Sequence, residues 1–261
     1  MVSRHTDQRW VLLYVQRWLK APLQRADGTT IARDRGTPQG SSVSPILANI
    51  FLHYVFDMWM TEKFPFAPFE RYCDDGVVHC KTEQQAKYIK DQIVKRMADF
   101  GLELHPDKTK IVYCKEDGRE GKHDNVRFDF CGYTFRPRQA KNRRGECFIG
   151  FLPAIGDGSV KAIRSDMRAW RIGRRSDKSF SELAAMINIV VAGWINFYGK
   201  FYPSRLVLVL RHINRLLVRW AMRKYKRLRT SRQRAWAWLA SVVRREPNLF
   251  AHWRFGARPA G

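Results

Sequence analysis

Basic residues are concentrated in the C-terminal part of the chain, and this asymmetry restricts the domain organisation and the class of partner more than any other feature. Residues 160–261 contain 23 Lys and Arg against 4 Asp and Glu, whereas residues 1–159 contain 25 against 20. Cations at such density repel one another unless an anionic partner or salt neutralises them. Hydrophobic residues make up 45% of the chain, which excludes a disordered basic tail. We therefore expect two folded domains, residues 1–150 and 160–256, joined by the Gly- and Pro-containing stretch 150–158.

The net charge of +24 limits the class of partner. It argues against an enzyme of small metabolites and favours a nucleic acid or an anionic membrane. The chain has no run of about 18 apolar residues and no apolar signal core near Met1, so we expect no membrane partner. Its five cysteines include no C-x-x-C pair, which is typical of a reduced interior. These features predict a cytoplasmic protein that binds nucleic acid.

The first domain combines helical and strand patterns. Apolar residues recur at helical spacing near Trp10–Leu19 and Ser44–Trp59. Thr82–Phe100 predicts a helix with Thr82 as N-cap and Gly101 at its end. Phe69–Lys81 predicts a β-hairpin with its tip at residues 73–76. Short strands are predicted at 110–113 and 128–135, so the fold class is α+β, with a small antiparallel sheet backed by helices.

The second domain is predicted to be all-α. Its helices are expected at residues 165–171, 180–198, about 205–227 and 231–243. Ser179 and Glu182 have the spacing of a capping box at the start of the second of these helices. On the third helix, arginines recur every four residues and form what we call the basic stripe: Arg211, Arg215, Arg219, Arg223 and Arg227.

Two adjacent carboxylates, Asp74 and Asp75, occupy the predicted hairpin tip. Neighbouring anions repel one another unless cations lie beside them, and oxygen ligands of this type suit magnesium. A pair of magnesium ions serves nucleotidyl transfer, in which one ion activates the primer oxygen and the other holds the triphosphate. The alternative is that Asp-Asp-Gly is only a favourable turn sequence.

The carboxylate pair has several companions in a fixed order. They are a P-Q-G loop within residues 35–50, a Y-x-D-D hairpin at 72–75, an L-x-L-x-x-x-K-T segment at 102–109 and an F-x-G-Y turn at 130–133. In this order the chain closely resembles the reverse transcriptases of bacterial group II introns. The resemblance continues through residues 194–199, 219–226 and 250–256, which are similar to the maturase domain, also called domain X or thumb. It therefore implies a partial reverse-transcriptase palm followed by a helical thumb.

The resemblance also implies a role for individual residues. Asp74 and Asp75 would be metal ligands of a two-magnesium site, and Lys108 would neutralise phosphate or protonate the leaving pyrophosphate. Tyr72 would shape the primer side, and Gln39 with Gly40 would lie against the nascent base pair. The primer grip would consist of Cys131, Gly132 and Tyr133. From the residues alone, Lys108 is equally well a solvated turn lysine, and Gln39–Gly40 a simple loop.

A third metal-binding carboxylate is expected by the family on an earlier apolar strand. Asp7 and Asp27 do not follow such a strand. We therefore expect a C-terminal portion that lacks the fingers and the first catalytic-Asp motif, and that cannot extend a primer by itself. A separate N-terminal fragment would then complement it. The alternative function is an RNA-binding module that assists splicing without polymerase activity.

The partners implied by the resemblance are group II intron RNA, an RNA template with a DNA primer, and dNTPs in the complete enzyme. The residues predicted to bind RNA are Arg211, Arg215, Arg219, Arg223, Lys224 and Arg227, because cations on successive turns can follow a phosphate backbone. Aromatic residues interleaved with them either stack on unpaired bases or form the core. These aromatics are Trp170, Trp194, Trp220, Tyr225, Trp236, Trp238 and Trp253.

Overall fold

The chain forms two compact units, Met1–Ile111 and Val112–Gly261. They are seen in a computed structural model that describes residues 1–33, 36–37 and 40–259. These compact units are defined by contacts within the structure. The domains predicted from the sequence, 1–150 and 160–256, were defined by charge and family resemblance, and their bounds stay a prediction. Each unit has its own core and is described by itself.

The first unit contains helices and two short antiparallel hairpins. In chain order its elements are α1 (Arg9–Lys20), β1 (Leu23–Gln24), β2 (Thr30–Ile31), α2 (Ser44–Leu52), a π-helical turn (His53–Asp57), α3 (Met58–Lys63), β3 (Phe69–Tyr72), β4 (Asp75–Val78) and α4 (Glu83–Asp99). Its core is formed by Val55, Phe56, Met60, Ile89 and Met97, with smaller contributions from neighbouring residues. The predicted helix 44–59 is therefore present but longer, and a π-helical turn interrupts it.

Helix α4 begins and ends as its sequence predicts. Thr82 caps it, since its hydroxyl accepts a hydrogen bond from the Gln85 amide at 3.2 Å. Gly101 follows with a φ of +69°, a left-handed conformation that favours glycine. Local signals alone determine both ends of this helix.

The second unit begins with a three-stranded antiparallel sheet. Its strands are β5 (Phe128–Phe130), β6 (Tyr133–Lys141) and β7 (Cys147–Ile155), in the order β5-β6-β7. The predicted strand 128–135 is thus divided by a turn, and the predicted strand 110–113 does not form. The stretch 150–158, expected to join two domains, is instead the end of β7 and the start of a helix. Pro153 is tolerated in β7 because β7 is an edge strand.

Helices form the rest of the second unit, but the helix predicted at 165–171 spans Asp157–Ala169, and the short last helix was not predicted. They are α5 (Asp157–Ala169), α6 (Phe180–Tyr198), α7 (Pro203–Lys224), α8 (Arg232–Arg245) and α9 (Ala251–Arg254), with short 3-10 turns at Ile172–Arg174 and Lys226–Leu228. The capping box of α6 is present: the Glu182 amide donates to Ser179 Oγ at 3.2 Å, and the Ser179 amide donates to Glu182 Oε2 at 2.7 Å. Helix α7 ends at Lys224, three residues before the predicted end.

Helix α7 is the centre of the second core. Its side chains Leu206, Leu210, Ile213, Leu217 and Trp220 are completely buried. Large apolar residues on one face explain this, because full burial of each contributes about 1.5–3 kcal/mol.

A buried polar contact ties the C-terminal segment to α7. Asn214 Oδ1 accepts hydrogen bonds from His252 Nε2 at 2.8 Å and from Trp253 Nε1 at 2.9 Å, and its Nδ2 donates to the Ala257 carbonyl at 2.8 Å. Burial lowers the pKa of His252 to about 3, so the ring is neutral and Nε2 carries the proton.

Within the described residues, α6 is the one helix whose length and composition would suffice to cross a membrane. Glu182 at its start and two asparagines interrupt this otherwise apolar segment, so no membrane span was predicted from the sequence. Four of its residues, Leu183, Ala184, Ile187 and Val191, are buried in the second core.

Candidate metal and nucleic-acid sites

The hairpin β3–β4 presents the adjacent carboxylates at a two-residue turn. Tyr72 pairs with Asp75, so Cys73 and Asp74 form the turn itself. Cys73 has a φ of +55°, which costs a residue with a side chain about 1–2 kcal/mol. Tyr72, Asp74 and Asp75 are all exposed.

Arg71 holds this turn against the helical part of the first unit. Its Nε and Nη2 donate to the two oxygens of Asp57, each at 2.6 Å. Its Nη1 donates to the Cys73 carbonyl at 2.6 Å and to Asn49 Oδ1 at 2.9 Å. The guanidinium therefore joins the turn before Asp74 to two helical side chains. Arg71 was not predicted as a site residue, although it is the one arginine in the strand that leads to the carboxylates.

Asp57 lies at the end of the π-helical turn, a local irregularity that is frequent at functional sites. Burial by itself would raise the pKa of Asp57. Arg71 outweighs this effect of burial through its hydrogen bonds and its positive charge, and His53 makes a smaller contribution. The pKa of Asp57 is therefore below its usual value. The interaction is thus strongest with Asp57 ionised.

We expect this ion pair to make the stability of the first unit depend on pH. Because the folded-state pKa of Asp57 is depressed, its contribution is complete above the unfolded pKa of about 3.9 and is lost as pH falls through the folded value. Urea unfolding of wild type and Asp57→Asn should differ at pH 6, and the difference should shrink below roughly pH 3. A difference that does not change with pH would contradict the role of the charge.

The two hairpin carboxylates supply only part of a metal site. Among the described residues, neither Asp74 nor Asp75 has a side-chain hydrogen bond or ion pair, so their oxygens are available. No group of three or more His, Cys, Asp or Glu that suits a metal occurs in the described part of the chain. The donors present fit one hydrated magnesium ion, which usually retains several waters. They do not fit two magnesium ions bridged by a third carboxylate.

The other residues expected near the nucleotide are only partly located. Gln39 lies outside the described residues. Gly40 is in a turn with a φ of +87°, and nothing lies within 4 Å of the position of a Cβ, so it is open to close approach. Lys108 is exposed in a turn closed by the hydrogen bond from the Thr109 amide to the His105 carbonyl at 3.0 Å.

The expected primer grip is the turn between β5 and β6 in the second unit. Cys131 and Gly132 have φ values of +49° and +79°. The Gly132 carbonyl accepts hydrogen bonds from the Gly156 amide and from Ser159 Oγ, both at 2.9 Å. The Tyr133 hydroxyl donates to the Phe197 carbonyl, and burial raises its pKa. This turn is therefore packed onto α5 and α6.

Most of the basic stripe is exposed on one side of α7. Arg211, Arg215, Arg219 and Arg223 are exposed, and Arg227 is exposed in the turn beyond the helix. The ion pairs within the described part of the second unit join Lys178 to Glu182 and Arg205 to Asp157. No arginine of the basic stripe thus has a carboxylate partner there.

Two of the residues predicted to bind RNA also have structural contacts. Lys224 Nζ donates to the carbonyls of Ser176 at 2.9 Å and Lys178 at 2.6 Å. Arg223 Nη1 donates to the Gly173 carbonyl at 2.8 Å. Lys224 is half-buried by these contacts, whereas Arg223 stays exposed.

The interleaved aromatic residues belong mainly to the core. Trp220 and Trp253 are fully buried, and Trp170 stacks on Trp194 with 5.4 Å between ring centroids. Tyr225, Trp236 and Trp238 pack partly buried against the same core. The core alternative is therefore correct for Trp220 and Trp253, for which stacking on bases is wrong. For the partly buried rings, stacking on bases stays a hypothesis.

Arg168 of α5 lies close to arginines of the basic stripe, a link that was not predicted from the sequence. Together with neighbouring arginines they line a cleft of about 830 Å³, which we call the arginine cleft; its walls include Arg168, Arg171, Arg174, Arg219, Arg223 and Arg229. Burial lowers the pKa of His212 on α7. The nearby positive charges lower it further, and they belong to Arg215, Arg164, Arg219 and Arg168. The helical spacing of the basic residues Lys161, Arg164 and Arg168 was the signal in the sequence for a second basic helix face.

Comparison with known families matches both parts of the chain. The family described as reverse transcriptase (RNA-dependent DNA polymerase) matches residues 3–135. The family described as group II intron, maturase-specific domain, matches residues 160–238. Among curated proteins, none matches the chain.

Proposed function

Because this chain belongs to the group II intron reverse transcriptase/maturase family, we propose that it binds intron RNA through the second unit and thereby assists splicing in the bacterial cytoplasm. The observation that carries this proposal is the basic stripe on α7. Its arginines are solvent-exposed and have no carboxylate partner in the described part of the second unit. Phosphates of a folded RNA would replace the missing anions.

The charge of the second unit supports a polyanion rather than a small anion. Residues 160–261 carry a net charge of +19, spread over several helices. Each phosphate that a cation neutralises releases counterions, so many weak contacts add up to tight binding at low salt. We propose RNA and not DNA as the partner because the group II intron maturase-specific family matches residues 160–238.

We expect RNA binding to depend strongly on salt. If about six phosphates are neutralised, the slope of log K against log salt concentration is near −4 to −5. Filter binding or fluorescence anisotropy of structured intron RNA from 50 to 300 mM KCl measures this slope. A slope near zero would rule out an electrostatic interface.

We also infer that the hairpin carboxylates belong to a polymerase site. Asp74 and Asp75 would hold magnesium, which supplies the charge that activates a primer oxygen and stabilises a leaving pyrophosphate. The role of Arg71 would be to orient the turn through the Cys73 carbonyl. Lys108 would neutralise phosphate charge, and Tyr72 and Gly40 would shape the space for primer and nucleotide.

This chain by itself should not extend a primer. Two carboxylates cannot bridge two magnesium ions in the way that in-line nucleotidyl transfer requires. Purified protein with primer, RNA template, dNTPs and magnesium is expected to give no cDNA above the level of an Asp74→Asn/Asp75→Asn control. Robust synthesis that the control abolishes would show that a third ligand exists. RNA binding without synthesis would favour the alternative, a splicing-assistance module.

A further inference from the structure

The arginine cleft combines two surfaces of opposite character. Its inner wall is apolar and includes Met167, Ile172, Leu216 and Met222. Met167 and Ile172 are buried, whereas Leu216 and Met222 are half-buried. The arginines around this wall are exposed. A ligand that fills the cleft must therefore have both an apolar body and several negative charges.

The arginine rim is built from three segments of the second unit. Arg168 is on α5, and Arg219 is on α7. Arg171 precedes the 3-10 turn, and Arg174 is the last residue of that turn. Arg171 adopts a left-handed φ of +49°, an uncommon conformation for a residue with a side chain. The hydrogen bond from Arg223 Nη1 to the Gly173 carbonyl ties this turn to α7. The turn that leads to Arg174 is thus tied to α7 before any ligand arrives.

Positive charge at the rim is not compensated within the protein. The ion pairs in the described part of the second unit involve Lys178 and Arg205, and neither residue lines the cleft. Arginine guanidinium groups bind phosphate through paired donors and also stack on planar bases. The rim therefore has the chemistry to hold phosphates on both sides of a base.

We propose that the arginine cleft binds one unpaired nucleotide of an RNA, with its base on the apolar wall and its flanking phosphates on the arginine rim. This inference rests on the proposed RNA binding and adds a preference for a bulged base. The cleft volume of about 830 Å³ lies within the range of small-ligand sites and accommodates a nucleotide with its neighbouring phosphates. Met222 is half-buried, and methionine sulfur packs favourably against aromatic rings.

Other anionic ligands use the cleft less completely. A continuous RNA duplex keeps its bases paired and stacked, so the apolar wall would stay in contact with water. Inorganic polyphosphate has no apolar group for that wall. An unpaired base between two phosphates uses both surfaces.

The test compares two RNA hairpins that differ by one bulged 2-aminopurine. We expect wild-type protein to bind the bulged hairpin about tenfold more tightly than the fully paired one, because the base buries apolar surface on the cleft wall. The double variant Leu216→Ala/Met222→Ala keeps the net charge and should reduce this preference to less than about twofold. Leu208→Ala is the matched control, since Leu208 is an apolar residue of α7 with 65% of its surface exposed and is not part of the cleft. It should leave the preference unchanged.

A second measurement does not depend on how well a variant folds. Fluorescence of the bulged 2-aminopurine should rise when wild-type protein binds, because the base leaves its stacked neighbours. Equal affinities for the two hairpins, or an unchanged fluorescence, would overturn the inference. Salt-dependent binding of the paired hairpin would then still support RNA binding, so the two proposals fail separately.

Discussion

Reversing the charge of Arg211, Arg215 and Arg219 together is expected to weaken binding of structured RNA by about two to three orders of magnitude at 0.1 M salt. Each lost phosphate contact costs about tenfold under these conditions, because its counterions are no longer released. All three arginines are exposed on α7. The slope of log K against log salt should become less negative by about 2.7. Arg223 is left unchanged in this variant because its guanidinium donates to the Gly173 carbonyl.

A matched variant separates the position of these charges from their number. Lys141, Arg143 and Arg144 are exposed at the turn between β6 and β7 in the same unit. Their reversal to Glu changes the net charge by the same amount and should cost less than about tenfold. Equal losses in the two variants would mean that overall charge, and not the basic stripe, determines binding. Thermal unfolding of both variants confirms that each is folded.

Replacing Arg71 with Met should destabilise the first unit by about 3 kcal/mol. The side chains of Arg71 and Asp57 expose only 12% and 22% of their surface, so the variant leaves a poorly solvated carboxylate without its partner. It also removes the hydrogen bond to the Cys73 carbonyl, which fixes the turn before Asp74. Urea unfolding measures the loss. Amide hydrogen exchange at Tyr72–Asp75 should accelerate more than at α4.

An exposed hydrogen-bonded side-chain pair on the same hairpin provides the control for Arg71. His79 Nε2 lies 2.6 Å from Glu70 Oε2, and both side chains are more than half exposed. Exposed pairs contribute at most about 1 kcal/mol, so Glu70→Gln should have a small effect. If Arg71→Met and Glu70→Gln were equally mild, Arg71 would be an ordinary surface arginine. Arg71→Lys should be intermediate, because lysine cannot bind the carboxylate through two parallel donors.

Local signals predicted the helices of this protein well. Thr82 and Gly101 bound α4, and the Ser179–Glu182 capping box starts α6, because a cap depends on residues only three positions apart. The third predicted helix, at about 205–227, formed as α7 over most of that range, since a helical period is visible in sequence. The hairpin was predicted as well, but its turn is Cys73–Asp74 rather than residues 73–76, because Asp75 and Gly76 already pair in β4.

Contacts between distant residues were beyond the sequence patterns. The ion pair of Arg71 with Asp57 joins residues 14 positions apart. Asp57 lies in a π-helical turn, which the spacing of apolar residues does not indicate. Strand β7 was mistaken for a linker because Gly150 and Pro153 are usual loop residues, although an edge strand tolerates proline. The arginine cleft was missed because its walls come from helices about fifty residues apart in the chain.

The two separate cores have an evolutionary consequence. Substitutions among Val55, Met60 and Ile89 act on one core, and those among Leu206, Ile213 and Leu217 act on the other. Selection for splicing alone would tolerate drift in the first set while purging changes in the second. Descendants of such a lineage should therefore accumulate replacements faster around the carboxylate hairpin than around α7.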